Sequence, residues 1–136
     1  MAKETKKQSN YTATITETSR EFTAKERVMF KDLQNATPAV DYAKECRAND
    51  GRATVEVKDW AVIDIHNESA DNTDYTVYLF IDKNGNKFYT SSEPAWNSFK
   101  NIYDEMKDSE EEWGIEFNLI PSKKYNGKEI LTCSLI

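Results

Sequence analysis

A chain of 136 residues is long enough for one compact domain and too short to expect two, so residues 1–136 are read as a single domain. Its composition, 38% hydrophobic and 31% charged, is globular rather than disordered, and its apolar runs fall far short of a membrane span. A net charge of −6 excludes nucleic-acid binding through bulk charge, because phosphates must be met by Lys and Arg, so any such site has to be a local patch.

The opening MAKETKKQSN carries Lys3, Lys6 and Lys7 with no apolar core behind them, which predicts a frayed tail rather than a signal peptide or anchor. From Tyr11 to Thr18 apolar and threonine positions alternate, as in a half-buried strand with Tyr11, Ala13 and Ile15 on one side. Thr23 followed by Glu26 is a capping box, and Val28, Phe30 and Leu33 extend the expected helix from about Ala24 to Gln34. Thr37-Pro38 opens a second, shorter helix with Val40, Ala43 and Cys46 on one face, stopped by Asn49-Asp50-Gly51.

Ala53 to His66 alternates as a strand roughly twice the usual length, with Val55, Val57, Ala61, Ile63 and Ile65 on one face. Trp60 and Val62 break its polar face. A polar loop leads to a second strand, YTVYLFID, with Tyr75, Val77, Leu79 and Ile81 on one side and Tyr78 and Phe80 on the other. Asn84-Gly85 signals a two-residue hairpin turn, which sets Ile81 opposite Phe88 and Phe80 opposite Tyr89. A helix follows, capped by Ser91 or Ser92, with Pro94 in its first turn and Trp96, Phe99, Ile102, Tyr103 and Met106 at helical spacing. WGIEFNLI and KEILTCSL complete the chain as strands joined at Asn126-Gly127.

The order from Ala53 onward, three strands, a helix and two strands, matches the five-stranded Greek-key barrel of the OB-fold. The expected class is therefore mainly β (α+β), an OB-like barrel over 53–136 with a strand-helix extension over 1–52 packed on it. A plain α+β sheet has the same element order.

Catalysis has little support. His66 is the one histidine, the four glycines form no phosphate loop, and the carboxylates show no metal-ligand spacing, so no enzyme, cofactor or metal is expected. Cys46 and Cys133 suggest neither a disulfide framework nor a zinc site and fit buried small hydrophobes in a reduced cytoplasm. What remains is a face of Trp60, Tyr78, Phe80 and Tyr89, read either as a stacking platform for unpaired bases or as a second core layer under the N-terminal helix or strand. Lys83 and Lys87 flank its hairpin, and the last loop, SKKYNGK, adds Lys123, Lys124 and Lys128 with Tyr125. The acidic run from Asp104 to Glu112 lies at a helix end where the dipole disfavours negative charge.

The segment WGIEFNLIPSKKYNGKEILTCSLI, after DKNGNKFYTSSEPAW, resembles the small single-stranded DNA-binding proteins of phages and mobile elements of Gram-positive bacteria, a likeness over roughly the last two-thirds of the chain. The resemblance implies an OB-fold coating replication or recombination intermediates in the host cytoplasm without sequence preference. The acidic balance and the lack of an acidic C-terminal tip depart from the bacterial pattern, so recruitment through a tail is not implied. The expected partner is single-stranded DNA, with a replication or host protein at Asp104 to Glu112 and self-association through an exposed edge as further possibilities. The alternative is an acidic interaction module, such as a phage-encoded inhibitor of a basic host protein or a DNA mimic.

Overall fold

The computed structural model describes residues 11–122, 124 and 128–136. In chain order they form β1 (Tyr11–Thr18), α1 (Ala24–Lys31), a 3-10 turn (Leu33–Asn35), β2 (Ala36–Pro38), α2 (Ala39–Ala48), β3 (Thr54–Val55), β4 (Val57–Asn67), β5 (Asp74–Asp82), β6 (Lys87–Thr90), α3 (Glu93–Met106), β7 (Ile115–Pro121) and β8 (Glu129–Leu135). A main sheet runs β1-β4-β5-β6-β2 and a second sheet β3-β7-β8, a mainly β, α+β arrangement. Both sheets are open: among the described residues no ladder joins β6 to β8.

The capping box forms as the sequence demands, with Thr23 Oγ1 accepting from Glu26 N–H at 3.1 Å and the Glu26 carboxylate accepting from Thr23 N–H at 2.9 Å. The helix stops at Lys31 rather than Gln34, because Asp32 turns extended and its carboxylate accepts from Gln34 N–H at 3.1 Å to start the 3-10 turn. Ser92, not Ser91, caps α3 by accepting from Ala95 N–H at 3.2 Å.

The long strand expected from Ala53 to His66 is divided at Glu56 and bulged at Lys58: Val57 pairs with Asp82, and Asp59 already pairs with Ile81. One extra residue reverses which way every earlier side chain points. The odd-numbered positions therefore serve two cores. Ala53, Val55 and Val57 join Trp60 and Val62 in one, while Ala61, Ile63 and Ile65 enter the other. The first core lies between the main sheet, α2, α3 and the second sheet. The second lies on the opposite face of the main sheet, where Phe22, Phe30 and Leu33 from the segment around α1 pack on Ile15, Ile63, Val77, Leu79 and Ile81.

The N-terminal extension is fastened at the bulge. Buried Asp59 accepts from Ser19 Oγ at 3.0 Å and from Arg20 Nε and Nη2, both at 3.1 Å, and Ser19 Oγ accepts in turn from Trp60 N–H. Arg20 also donates to the Glu26 carboxylate at 2.6 Å, tying the start of α1 to the same point.

The β5–β6 turn departs from its expected form. Asp82 N–H donates to Asn86 O at 2.9 Å and Gly85 sits at φ 86°, so the loop has three residues with glycine in the left-handed position. The carboxylate of Asp82 accepts from Asn84 and Asn86 N–H and favours this form. The register moves by one: Phe80 faces Phe88, and Tyr89 faces Leu79.

Two predictions follow from this packing. A Cβ on Gly114 would lie 2.9 Å from Val55 O and 3.2 Å from Ile136 Cδ1, so Gly114→Ala should cost roughly 1 to 3 kcal/mol, read as a lower urea midpoint at unchanged slope. Hydrogen bonds from Arg20 and from the Thr23 backbone hold the Glu26 carboxyl at about 2. A depressed folded value means that its contribution to stability is complete above its ordinary value of 4.5 and is lost as pH falls toward about 2. Arg20→Met should move the Glu26 titration, followed by carboxyl NMR, back toward the ordinary range.

Candidate nucleic-acid interface

The four rings expected on one outward face do not share one. Trp60 is 5% exposed and Phe80 is fully buried. Their cover is α3, neither the N-terminal helix nor the N-terminal strand. Its apolar stripe meets them ring by ring: Trp96 stands edge-on to Trp60 at 5.2 Å and stacks on Tyr78 at 4.8 Å, and Phe99 meets Phe80 at 4.8 Å. Phe117 of the second sheet closes on Phe80 from below at 5.4 Å. Lys100 completes the seam, its Nζ 4.7 Å above the Trp60 ring and 3.5 Å from Asp104. Trp60 and Phe80 have no surface on which a base could stack, and one face of half-buried Tyr78 is taken by Trp96. The shifted hairpin register removes Tyr89 from this set and places it on the opposite face with Leu79.

The flanking lysines are engaged in structure. Lys83 Nζ lies 3.0 Å from Glu56, and Lys87 Nζ donates to the carbonyls of Met29 and Asp32, capping the C-terminus of α1. Lys124 and Lys128 are exposed, while Lys123 and Tyr125 lie outside the described residues, as does the Asn126-Gly127 turn. The carboxylates of the acidic run, Asp104, Glu105, Asp108, Glu110, Glu111 and Glu112, are all solvent-facing.

A different aromatic group converges on the other face of the main sheet. Tyr11 of β1, Tyr75 of β5 and Tyr89 of β6 line one open groove of about 470 Å³, within the ordinary size of ligand sites. Val77 and Ser91 lie along it, and Lys31, Asp32, Leu33 and Gln34 form one wall. Two features of the sequence build this wall: Asp32 folds the 3-10 turn, and Lys87 pins the end of α1 to β6. Tyr11 is 43% exposed, and Tyr75 and Tyr89 are half-buried. Burial first, then the neighbouring Tyr75 hydroxyl and the Asp32 carboxylate, raise the Tyr11 phenol above its ordinary value, so that ring stays uncharged at neutral pH. The groove offers three tyrosine rings, with Lys31 and Asp32 at its rim.

Of the residues expected to bind, the groove contains Tyr89 alone. Alternation places Tyr11 on one side of its strand with Ala13 and Ile15, and Tyr75 on one side with Val77, Leu79 and Ile81, and apart from Tyr11 these side chains do pack together in the second core. Each tyrosine stands at the end of an otherwise aliphatic row, where a ring can emerge from the core with its hydroxyl in water.

His66, at the far end of β4, pairs with Asp74 at 2.8 Å, which raises its pKa. Burial pushes the Cys133 thiol up to about 12, and Cys46 is half-buried against the first core. Among the described residues no cluster of three or more His, Cys, Asp or Glu side chains could hold a metal, and no helix is long and apolar enough to cross a membrane. The chain matches no family model, no curated protein and no solved structure.

Because Phe80 is a core ring, Phe80→Ala should lower unfolding free energy by roughly 3 to 5 kcal/mol in denaturant titration, whereas an exposed ring would leave it near the parent value.

Proposed function

We propose that the protein is a non-enzymatic binder of single-stranded DNA that takes bases on the tyrosine groove rather than on the Trp60–Phe80 face. The observation that carries the reading is the convergence of Tyr11, Tyr75 and Tyr89 in one open groove beside Lys31. Every base has a π-face, so rings without a hydrogen-bond code fit binding without sequence preference.

The strand succession supports the same reading. Counting β3 with β4 as one bent strand, the order strand, β5, β6, α3, β7, β8 is that of an OB-fold, in which the outward face of the second and third strands carries the oligonucleotide. On that mapping Tyr75 and Tyr89 lie on the binding strands, the Trp60 and Phe80 side corresponds to the inner face, here between the two open sheets, and α3 fills it. The N-terminal extension then covers most of the outward face and leaves the tyrosine end open.

Anisotropy of a labelled oligothymidylate at low salt should report binding, and Tyr89→Ala should weaken it roughly 5- to 150-fold, the loss of one stacked base. Tryptophan emission should stay near its starting value, since Trp60 lies under α3. Absence of binding by the parent protein at low salt overturns the reading and favours the acidic interaction module centred on Asp104 to Glu112.

A further inference from the structure

The strand registers fix more than the presence of the three tyrosines. Tyr75 stands opposite Ile65, which stands opposite Ala13, so Tyr11 lies two residues beyond the Tyr75 row on β1. Tyr89 stands opposite Leu79, four residues from Tyr75 in the other direction. With ~4.8 Å between strands and ~3.3 Å per residue along them, the backbone positions of Tyr11 and Tyr75 are ~12 Å apart and those of Tyr75 and Tyr89 ~14 Å apart. The three fall on one oblique line of ~25 Å, Tyr75 in the middle.

Resting on the proposed reading of this groove, we infer that a single strand crosses the main sheet obliquely from Tyr11 to Tyr89 with a footprint of about four to seven nucleotides. At the stacked spacing of ~3.4 Å per nucleotide the line holds about seven, and a strand splayed so that separate bases meet separate rings takes fewer. This is the short end of the range of ~4 to 16 nucleotides known for single-strand sites on one such domain. The wall from Lys31 to Gln34 and the cover of α1 over Ile63 and Leu79 deny the strand a longer path across that face.

The order of the rings gives the test. With labelled oligothymidylates of about two to twelve nucleotides and the full chain, affinity should climb to a length between about four and seven and stay level beyond it, apart from the statistical gain of extra registers. Tyr75→Ala should weaken binding at every length, roughly 5- to 150-fold. Tyr11→Ala should spare the shortest strands and bring the plateau to a shorter length, because it removes one end of the path. Tyr75→Phe and Tyr11→Phe keep the ring and should bind like the parent, which separates a lost contact from a damaged fold. Affinity still climbing beyond about ten nucleotides, or the same length profile for Tyr11→Ala and Tyr75→Ala, overturns the footprint while the single-strand reading stands. Failure of the parent to bind at any length overturns both.

Discussion

The main sheet is apolar on both faces, and the rest of the molecule is arranged to cover it. In β5 the sequence YTVYLFID sends Tyr78 and Phe80 to one side and Val77, Leu79 and Ile81 to the other, so neither side can be left to water. Each such side chain gains about 1.5 to 3 kcal/mol on burial, which makes an open face of several rings or aliphatics an expensive state for a chain of this size. Two covers are therefore required. The helix after β6 brings Trp96, Phe99 and Tyr103 to the aromatic face, and the segment around α1 brings Phe22, Phe30 and Leu33 to the aliphatic one.

A single extra residue at Lys58 makes the two cores compatible with one strand. Without the bulge, Val55 and Val57 would point with Ile63 toward α1, and the second sheet would lose the residues that join it to α3. With it, the strand changes sides where buried Asp59 takes two hydrogen bonds from Arg20 and one from Ser19. The bulge, the charged anchor and the division at Glu56 occur within four residues, and the strand bends there. An uncompensated carboxylate at that depth would be costly, so the extension's attachment and the strand's change of face stabilise each other.

Element types were legible because they rest on periodicity and capping chemistry: the Thr23–Glu26 box, the Ser92 cap and the stripe from Trp96 to Tyr103 all act locally. What the sequence hid were shifts of one residue. Nothing in VKDWAVID marks the bulge, since Asp59 looks like an ordinary outward polar position until its partners from Ser19 and Arg20 are in place. Asn84-Gly85 favours both two- and three-residue hairpins, and the choice fell to the Asp82 carboxylate gathering Asn84 and Asn86. That choice moved Tyr89 to the other face and with it the most informative residue of the candidate site. Trp60, Tyr78 and Phe80 read as outward because alternation ranks faces by polarity, and a face of rings beside threonine and aspartate scores as the wetter one until a helix is laid on it.

Relocating the site also changes its energetics. With Lys83 held by Glu56 and Lys87 by the α1 carbonyls, the described groove has Lys31 at its rim to meet a phosphate, and Asp32 stands beside it. A net charge of −6 opposes the approach of any polyanion, so on the proposed reading the rings would have to carry the interaction. Three stacked bases at about 1 to 3 kcal/mol each would give at most about 9 kcal/mol, a dissociation constant no tighter than about 0.3 μM. On the proposed reading, such a groove would hold a short single strand transiently and exchange it readily. On the same reading, tighter retention would require several copies of the chain on one strand, where neighbouring grooves would act at high effective concentration and the rings of each copy would add to those of the next.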